Sequence, residues 1–394
     1  MSRPTLEVAD VFRTWAGPFI ERSRTRISWP QHKVIRAIER CRTAALGKHR
    51  DRCARCGEDL GISFNSCRNR HCPKCQTQAR DRWIAARVGD LVPVEYFHVV
   101  FTVPHQLSEL MLQNKRALYD LLFRSAATTL LEVAANPKHL GAEIGFLSVL
   151  HTWGQTLVHH PHIHCVVPSG GFASGHTRWV RPRNHGFFLP IYVLSKVFRG
   201  KFVDGLKQLF RRKALQFHGS LKWLEEPRSF ARFLRDLHQH RWVVYSKKPF
   251  GGPEQVLHYL ARYTHRVAIS NHRLLEMKDG KVTFRWKDYA HGSKQRKMTL
   301  LATEFIRRFL QHVLPRGFVR IRHYGWMANR CRGRYAALCR LLLEQVVGSN
   351  VPPAATPRER CCPRCGGEIE VVEMILPRWL SRLRKSRRRE LDSS

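Results

Sequence analysis

The segment around residues 161–167 carries the pattern that most restricts the fold of this chain. Its residues, Pro161-His162-Ile163-His164-Cys165-Val166-Val167, have the composition of a β-strand. Successive strand side chains point to opposite faces, so His162 and His164 are predicted to share one face, while Ile163 and Cys165 turn toward a core. Two imidazoles side by side on a strand can bind a metal ion, although a pair of solvated or core histidines is the alternative.

The charge of the chain indicates the class of its partner. Lys and Arg number 69 against 30 Asp and Glu, which gives a formal net charge of +39. A chain this basic is expected to bind a polyanion, and because the basic residues are spread along its length, a whole surface is expected to contact phosphates. The mean hydropathy is −0.37, and no apolar run approaches the roughly 20 residues of a membrane-spanning helix. The N-terminal residues also lack the apolar centre of a signal peptide, so we expect a cytoplasmic protein without a membrane partner.

The chain has 12 cysteines, and their grouping predicts metal binding rather than disulfides. The pairs Cys53-x-x-Cys56 and Cys72-x-x-Cys75 have the spacing of one tetrahedral, four-thiolate structural Zn²⁺ site. Free buried thiols are the alternative interpretation. The surrounding residues are rich in Arg and Lys, so this zinc module is expected to contact nucleic acid.

Other residues are further candidates for zinc ligands. Cys67 and His71 lie between the two pairs and are further candidate zinc ligands. Cys362 and Cys365 form another C-x-x-C pair near the C-terminus, which resembles half of a zinc site. Its remaining ligands would have to come from another chain or from one of three other cysteines: Cys331, Cys339 or Cys361.

Composition divides the chain into three predicted domains. Residues 1–88 form a helical, zinc-binding module that contacts DNA, with a helix predicted over 30–46. Residues 89–330 form the central domain, with a basic, helix-rich insertion over 174–240. Residues 331–394 form a basic tail.

The central domain is predicted to be an α+β fold. Helices are expected over 107–135 and 303–313, the first closed by Asn136-Pro137. A hairpin of strands 144–153 and 162–167 is expected to turn around residues 159–161. The remaining strands are predicted over residues 94–104, 241–245, 282–286, 298–300 and 318–321.

A predicted helix downstream of these strands carries two tyrosines. In GGPEQVLHYLARYTHR, Tyr259 and Tyr263 lie four residues apart, one turn of helix. With Val256 and Leu260 they form a stripe that also suits an ordinary core-facing helix. Flanking basic residues favour a functional interpretation, because a tyrosine hydroxyl is a poor nucleophile unless cations surround it.

Taken together, these motifs resemble the HUH single-strand nucleases, and within them the two-tyrosine rolling-circle insertion-sequence transposases. HUH denotes two histidines around a hydrophobic residue, here His162-Ile163-His164. The resemblance covers most of the chain and rests on SCRNRHCPKCQ, YFHVVFTVPH, WGQTLVHHPHIHCVVPSGG, YLARYTHRVAISNHRL and VTFRWKDY with FIRRFLQHVLPRGFVRIRHYG. It implies an antiparallel ferredoxin-like sheet with flanking helices.

The resemblance also implies a mechanism. His162 and His164 would bind Mg²⁺ or Mn²⁺. The third ligand would be Gln155, seven residues before His162 and on the strand across the hairpin, with His151, His160 and His258 as weaker candidates. Tyr259 or Tyr263 would attack the scissile phosphate and form a 5′-phosphotyrosine. The implied partner is single-stranded DNA, both the ends of the element and its target; the oligomeric state stays open.

Two alternative functions remain at this point. A rolling-circle replication initiator or a relaxase would use the same chemistry on a different DNA site. A non-enzymatic, zinc-dependent DNA-binding protein would explain the charge and the cysteines, but would leave the histidine pair and the tyrosine helix unexplained.

Overall fold

The fold was analysed in a computed structural model that describes residues 4–24, 27–87, 91–184, 186, 188–250, 268–289, 291–344 and 361–377. The predicted tyrosine helix, with Tyr259 and Tyr263, lies outside the described residues. No helix in these ranges is long and apolar enough to cross a bilayer.

Groups of helices are interspersed with groups of strands along the chain. The α-helices are α1 (Val8–Arg22), α2 (Trp29–Arg40), α3 (Pro73–Ala85), α4 (Ser108–Gln113), α5 (Lys115–Ala135), α6 (Ile191–Arg211), α7 (Pro227–Gln239), α8 (Ala302–Gln311) and α9 (Arg332–Glu344). The strands are β1 (Lys48–Cys53), β2 (Asp59–Phe64), β3 (Tyr96–Thr102), β4 (Gly145–Trp153), β5 (His159–Pro168), β6 (Gly171–Phe172), β7 (Trp179–Val180), β8 (Val243–Phe250), β9 (Leu274–Lys278), β10 (Lys281–Asp288), β11 (Lys294–Leu301), β12 (Ile321–Gly325) and β13 (Ile369–Ile375).

The chain forms two compact units, each assembled from separate segments. In described residues, the first unit contains segments of 4–85, 268–313 and 361–377, and the second contains segments of 86–250 and 314–344. The sequence analysis placed 89–330 in one domain and 331–394 in a tail. The structure instead groups residues 268–313 and 361–377 with the N-terminal segment.

The second unit is built on a five-stranded antiparallel sheet in the order β12-β4-β5-β3-β8. Strands β3, β4, β5 and β8, with helices between β3 and β4 and between β5 and β8, follow the strand-helix-strand-strand-helix-strand sequence of ferredoxin-like folds. Strand β12 extends this sheet beside β4. The predicted α+β fold is confirmed.

One face of this sheet forms the hydrophobic core. Ile163 and Cys165 are fully buried there, as their alternation with the histidines predicts. Helices α5 and α6 pack on each other and supply much of the same core. The basic segment predicted as an insertion therefore contributes α6 and α7 to the core, because their apolar stripes are buried while their charged residues face outward.

The predicted hairpin is confirmed, but its turn was placed wrongly. Strand β5 begins at His159 and not at His162, so the turn occupies residues 154–158. The Gly154 N–H donates to Val158 O at 2.9 Å, and Leu157 adopts a positive φ of 63°. This five-residue turn fixes the pairing of β4 with β5.

The first unit contains two smaller sheets. Strands β9, β10 and β11 form an antiparallel sheet whose Phe284 packs against Phe305 of α8, with ring centroids 6.0 Å apart. On α1, Phe12 contacts Phe309 of α8 at 5.3 Å. Helix α8 therefore packs against both the β9-β10-β11 sheet and helix α1.

The other small sheet joins the two ends of the chain. Its order is β13-β1-β2, so β1 pairs with β2 on one edge and with β13 on the other. The sequence analysis predicted only a basic tail after residue 330. It missed helix α9 and strand β13, and β13 is paired with a strand more than 300 residues earlier in the chain.

A pair of glycines allows close backbone contact between edge strand β12 and its neighbour β4. Gly325 of β12 pairs with Gly145 of β4. A Cβ on Gly325 would overlap the Ile144 carbonyl, and a Cβ on Gly145 would lie 2.6 Å from the Trp326 ring. Gly325 also has a positive φ of 59°, which favours glycine.

We predict that Gly325→Ala destabilises the protein by ~3 kcal/mol, because backbone strain and steric overlap act together. Gly317→Ala is the matched control: Gly317 has a φ of 70° with nothing within 4 Å of an added Cβ. It should cost about 1 kcal/mol. Urea unfolding measures both, and equal losses would show that the contact with Ile144 is unimportant.

Candidate functional site

The face of the five-stranded sheet opposite the core carries a group of histidines. The register of β5 sets His162 directly opposite His151 of β4 and Thr102 of β3. His164 lies on the same face, opposite Val149 and Val100. The predicted sharing of a face by His162 and His164 is therefore seen in the structure.

Three of these side chains could bind one metal ion. His151, His162 and His164 each offer a ring nitrogen, and these atoms lie within 4.8 Å of one another. The ring centroids of His162 and His164 are 4.8 Å apart, and those of His151 and His164 are 4.3 Å apart. Within the described residues, this group contains only imidazoles and no carboxylate.

Hydrogen bonds fix which nitrogen of each HUH histidine could be the ligand. The Nδ1 atom of His162 lies 2.7 Å from the carbonyl of His160, so Nδ1 carries the proton and Nε2 would coordinate. The Nδ1 atom of His164 lies 2.7 Å from Nε2 of His98 on β3. His98 therefore orients His164 in the way that outer hydrogen-bond partners commonly orient metal ligands.

Burial keeps these imidazoles neutral. It lowers the pKa of His162 to about 4 and that of His98 to about 3. Burial, followed by the charges of the neighbouring histidines, lowers the pKa of His164 well below its usual value. Because a metal binds the neutral imidazole, little proton release would be needed at neutral pH.

The position of Gln155 differs from its prediction. The sequence analysis placed it on the strand across the hairpin from His162. It lies instead in the turn at residues 154–158, because β4 ends at Trp153. The residue across from His162 is His151, which the sequence analysis had ranked below Gln155. Gln155 as a ligand stays a prediction.

A first cysteine cluster lies in the N-terminal part of the chain. Its members are Cys41, Cys67, Cys72 and Cys75, whose Sγ atoms lie within 4.8 Å of one another. Cys75 Sγ is 3.5 Å from both Cys41 and Cys67. Hydrogen bonds from Cys67 and then Cys72 lower the pKa of Cys41 to about 7, while the hydrogen bonds with Cys41 raise the pKa of Cys67 and Cys72. Four thiolates in this arrangement fit structural zinc.

A second cluster joins the two C-x-R-C-G sequences. Its members are Cys53, Cys56, Cys362 and Cys365. The prediction of one site from Cys53, Cys56, Cys72 and Cys75 is therefore wrong. The first pair, at the end of β1, lies beside the C-terminal pair, while Cys72 and Cys75, at the start of α3, lie beside Cys41.

Other predicted partners of the zinc sites lie elsewhere. Cys331 and Cys339 belong to the second unit, and the exposed Cys361 is not in the cluster. His71 is buried near Asn69, and its ring lies outside the four-thiolate group that includes Cys67.

Two contributors were missed by sequence reasoning. Cys41 ends helix α2 with no second cysteine nearby, so no local spacing indicates it. His98 is a single histidine in an apolar strand, and only strand pairing brings it to His164. The joining of the C-terminal pair to Cys53 and Cys56 did have a signal, namely the repeated Cys-x-Arg-Cys-Gly sequence.

A basic surface lies on the exposed face of the β9-β10-β11 sheet. Arg285 and Lys297 are paired across β10 and β11, and both are exposed. Lys281 and Lys287 lie on the same face of β10, opposite the buried Phe284. Such a row of cations suits contacts to the phosphates of DNA.

Comparison with known families agrees with these features. Residues 145–334 match a family described as "Putative transposase", and residues 11–103 match the "Transposase zinc-binding domain" of the IS91 type. The first match contains β4, β5 and the HUH histidines, and the second contains all of the first cysteine cluster. No solved structure matches the chain.

Two curated relatives extend the similarity. The "Putative transposase y4qJ" of Sinorhizobium fredii is 50% identical over 392 residues, covering 95% of this chain and 97% of that protein. The transposase for insertion sequence element IS801 of Pseudomonas savastanoi pv. phaseolicola is 28% identical over 281 residues, covering 69% of this chain and 63% of that protein. With the cysteine clusters and the histidine face, these similarities show that the chain belongs to the IS91/IS801 family of insertion-sequence transposases.

Proposed function

We propose that this transposase cuts and joins single-stranded DNA through a metal-assisted phosphotyrosine intermediate, in rolling-circle transposition of an insertion sequence. The observation that carries the proposal is the histidine cluster on the face of the ferredoxin-like sheet opposite its hydrophobic core. The clustered side chains include both histidines of the HUH motif, and each has Nδ1 in a hydrogen bond that leaves Nε2 as the ligand atom.

The donor set fits a catalytic divalent cation. We propose His162, His164 and His151 as its ligands, with Gln155 as the alternative to His151. Imidazoles suit Mn²⁺ better than Mg²⁺, which prefers oxygen ligands. When bound, such a cation polarises a phosphoryl oxygen and orients the phosphodiester for in-line attack. Because burial keeps His162 and His164 neutral, these two ligands would not repel the phosphate.

The proposed nucleophiles are Tyr259 and Tyr263. In each cleavage the tyrosine hydroxyl gives up its proton, its oxygen bonds to phosphorus, and the bond to the 3′ oxygen breaks. The 3′ oxygen takes up a proton and leaves as a hydroxyl, while the 5′ phosphate stays on the enzyme. A second tyrosine one helical turn away would allow another strand to be cut while the first remains attached.

The proposed DNA substrate fits the electrostatics of the chain. A formal net charge of +39 and the basic face of the β9-β10-β11 sheet favour nucleic acid as partner. A replication initiator or relaxase would share the nuclease chemistry, but the similarity to insertion-sequence transposases favours transposition. A purely DNA-binding role would not explain the clustering of His151, His162 and His164.

We predict that His162→Ala and His164→Ala reduce cleavage of single-stranded DNA at least about 100-fold, because each removes a ligand from the cation site. DNA affinity should change little, since binding depends mainly on phosphate contacts elsewhere. The assay uses labelled oligonucleotides that carry the element ends, with denaturing gels for cleavage and anisotropy for binding. His238→Ala on the exposed surface of α7 is the control. Wild-type cleavage by either active-site variant would contradict the assignment.

The same assay separates the two candidates for the third ligand. We predict that His151→Ala lowers cleavage more than Gln155→Ala, because His151 is opposite His162 while Gln155 lies in the turn. Mn²⁺ should support cleavage at lower concentrations than Mg²⁺, since imidazole ligands favour it. A larger loss with Gln155→Ala, together with preference for Mg²⁺, would favour the amide as ligand.

For the nucleophiles, we predict that the double variant Tyr259→Phe, Tyr263→Phe forms no covalent DNA adduct, because both nucleophilic hydroxyls are lost. The aromatic rings remain, so packing should change little. Each single variant should retain at most part of the reaction, and transposition should fail. Tyr245→Phe is the control: Tyr245 is half exposed on the histidine face, opposite Val100. Mass spectrometry of the trapped adduct identifies the modified peptide, and a phosphotyrosine at Tyr245 would move the nucleophile to β8.

A further inference from the structure

We infer that the chain binds a second structural zinc ion through Cys53, Cys56, Cys362 and Cys365, and that this ion holds the C-terminal strand on the N-terminal sheet. The match to the transposase zinc-binding domain ends at residue 103, so it does not include Cys362 or Cys365. The inference is independent of the proposed nuclease activity.

The four sulfur atoms have the separations of a tetrahedral zinc site. Cys53 Sγ is 3.4 Å from Cys365 Sγ, and Cys56 Sγ is 3.7 Å from Cys362 Sγ. A tetrahedron of sulfurs at 2.3 Å from zinc has edges of roughly 3.8 Å. The same distances are far beyond the roughly 2.05 Å of a disulfide bond.

Each half of the site is a tight turn that presents two thiols. The Gly57 N–H donates to Cys53 O at 3.0 Å, and the Gly366 N–H donates to Cys362 O at 2.9 Å. Both glycines have a positive φ, near 70°. The two turns therefore have matching geometry, as expected for a pair of knuckles around one ion.

Backbone donors stabilise thiolates in both turns. The Cys56 N–H donates to Cys53 Sγ at 3.4 Å, and the Gly367 N–H donates to Cys365 Sγ at 3.4 Å. Hydrogen bonds to sulfur of this kind disperse the negative charge of four thiolates around one cation.

Gly367 keeps the site open for an ion. A Cβ at this position would lie 3.1 Å from Cys53 Sγ, 3.2 Å from Cys365 Sγ and 2.6 Å from Arg55 Cβ. A larger side chain would displace the sulfurs without removing any ligand. This gives a variant that tests the geometry of the site separately from its chemistry.

The site is continuous with strand pairing at both ends of the chain. The Ala54 N–H donates to Glu368 O at 2.9 Å beside the cluster, and the pairing of β1 with β13 begins at Cys53 and Ile369. An ion at the four cysteines would therefore fix the register of β13.

The test is the zinc content of the full-length protein, measured by native mass spectrometry after dialysis into metal-free buffer. We expect two zinc ions per chain in the wild type and one in the double variant Cys362→Ser, Cys365→Ser. Cys361→Ser is the matched control, because Cys361 is adjacent and exposed but outside the cluster; it should retain two. One zinc in the wild type, or two in the double variant, would overturn the inference.

Two further measurements distinguish a specific loss of the second zinc site from general misfolding of the variants. Gly367→Val retains every thiol and should lower the affinity of one zinc ion at least tenfold in chelator competition. Hydrogen exchange of residues 369–375 should become faster in the double variant, while the peptide containing Cys72 and Cys75 keeps its protection. Unchanged affinity in Gly367→Val, or unchanged exchange of β13, would also contradict the inference.

Discussion

The pairing register of β4 with β5 is the constraint on which the histidine site depends. It is fixed by the five-residue turn at 154–158, and it sets His151 opposite His162. Since strand side chains alternate, a slip by one residue would turn His162 and His164 into the core and bring Ile163 and Cys165 to the opposite face of the sheet. Burial of the apolar face and assembly of the histidine cluster thus require the same register.

The chemistry of the site follows from what surrounds these imidazoles. Burial keeps His162 and His164 neutral, a backbone carbonyl orients His162, and another histidine orients His164. No carboxylate belongs to the cluster in the described residues. In the proposed site, the positive charge of a cation would therefore not be offset by carboxylate ligands, which would suit an anionic phosphodiester.

Local patterns were sufficient to predict much of this molecule. Alternation along 161–167 gave the strand and its two faces, and the apolar run before Asn136 gave α5. What could not be predicted depends on pairing between distant residues. His98 contacts His164 only because β3 pairs with β5. Cys41 joins its cluster only through the packing of α2. Strand β13 forms by pairing with an edge of β1, which local sequence does not indicate. The error over Cys53 and Cys72 has the same origin, because cysteines close in sequence can belong to different clusters.

The position of β13 also bears on how the protein is made. The four-cysteine cluster that includes Cys56 and Cys362 spans a separation of 306 residues. During synthesis, Cys53 and Cys56 leave the ribosome long before Cys362 and Cys365 are made, and one edge of β1 has no β13 to pair with until residues 369–375 have been added. The described strands of the second unit's five-stranded sheet are all made by Gly325, so this sheet can form first. The first unit therefore gains β13 only after the strands of the second unit are available, although β1 and β2 are made before them.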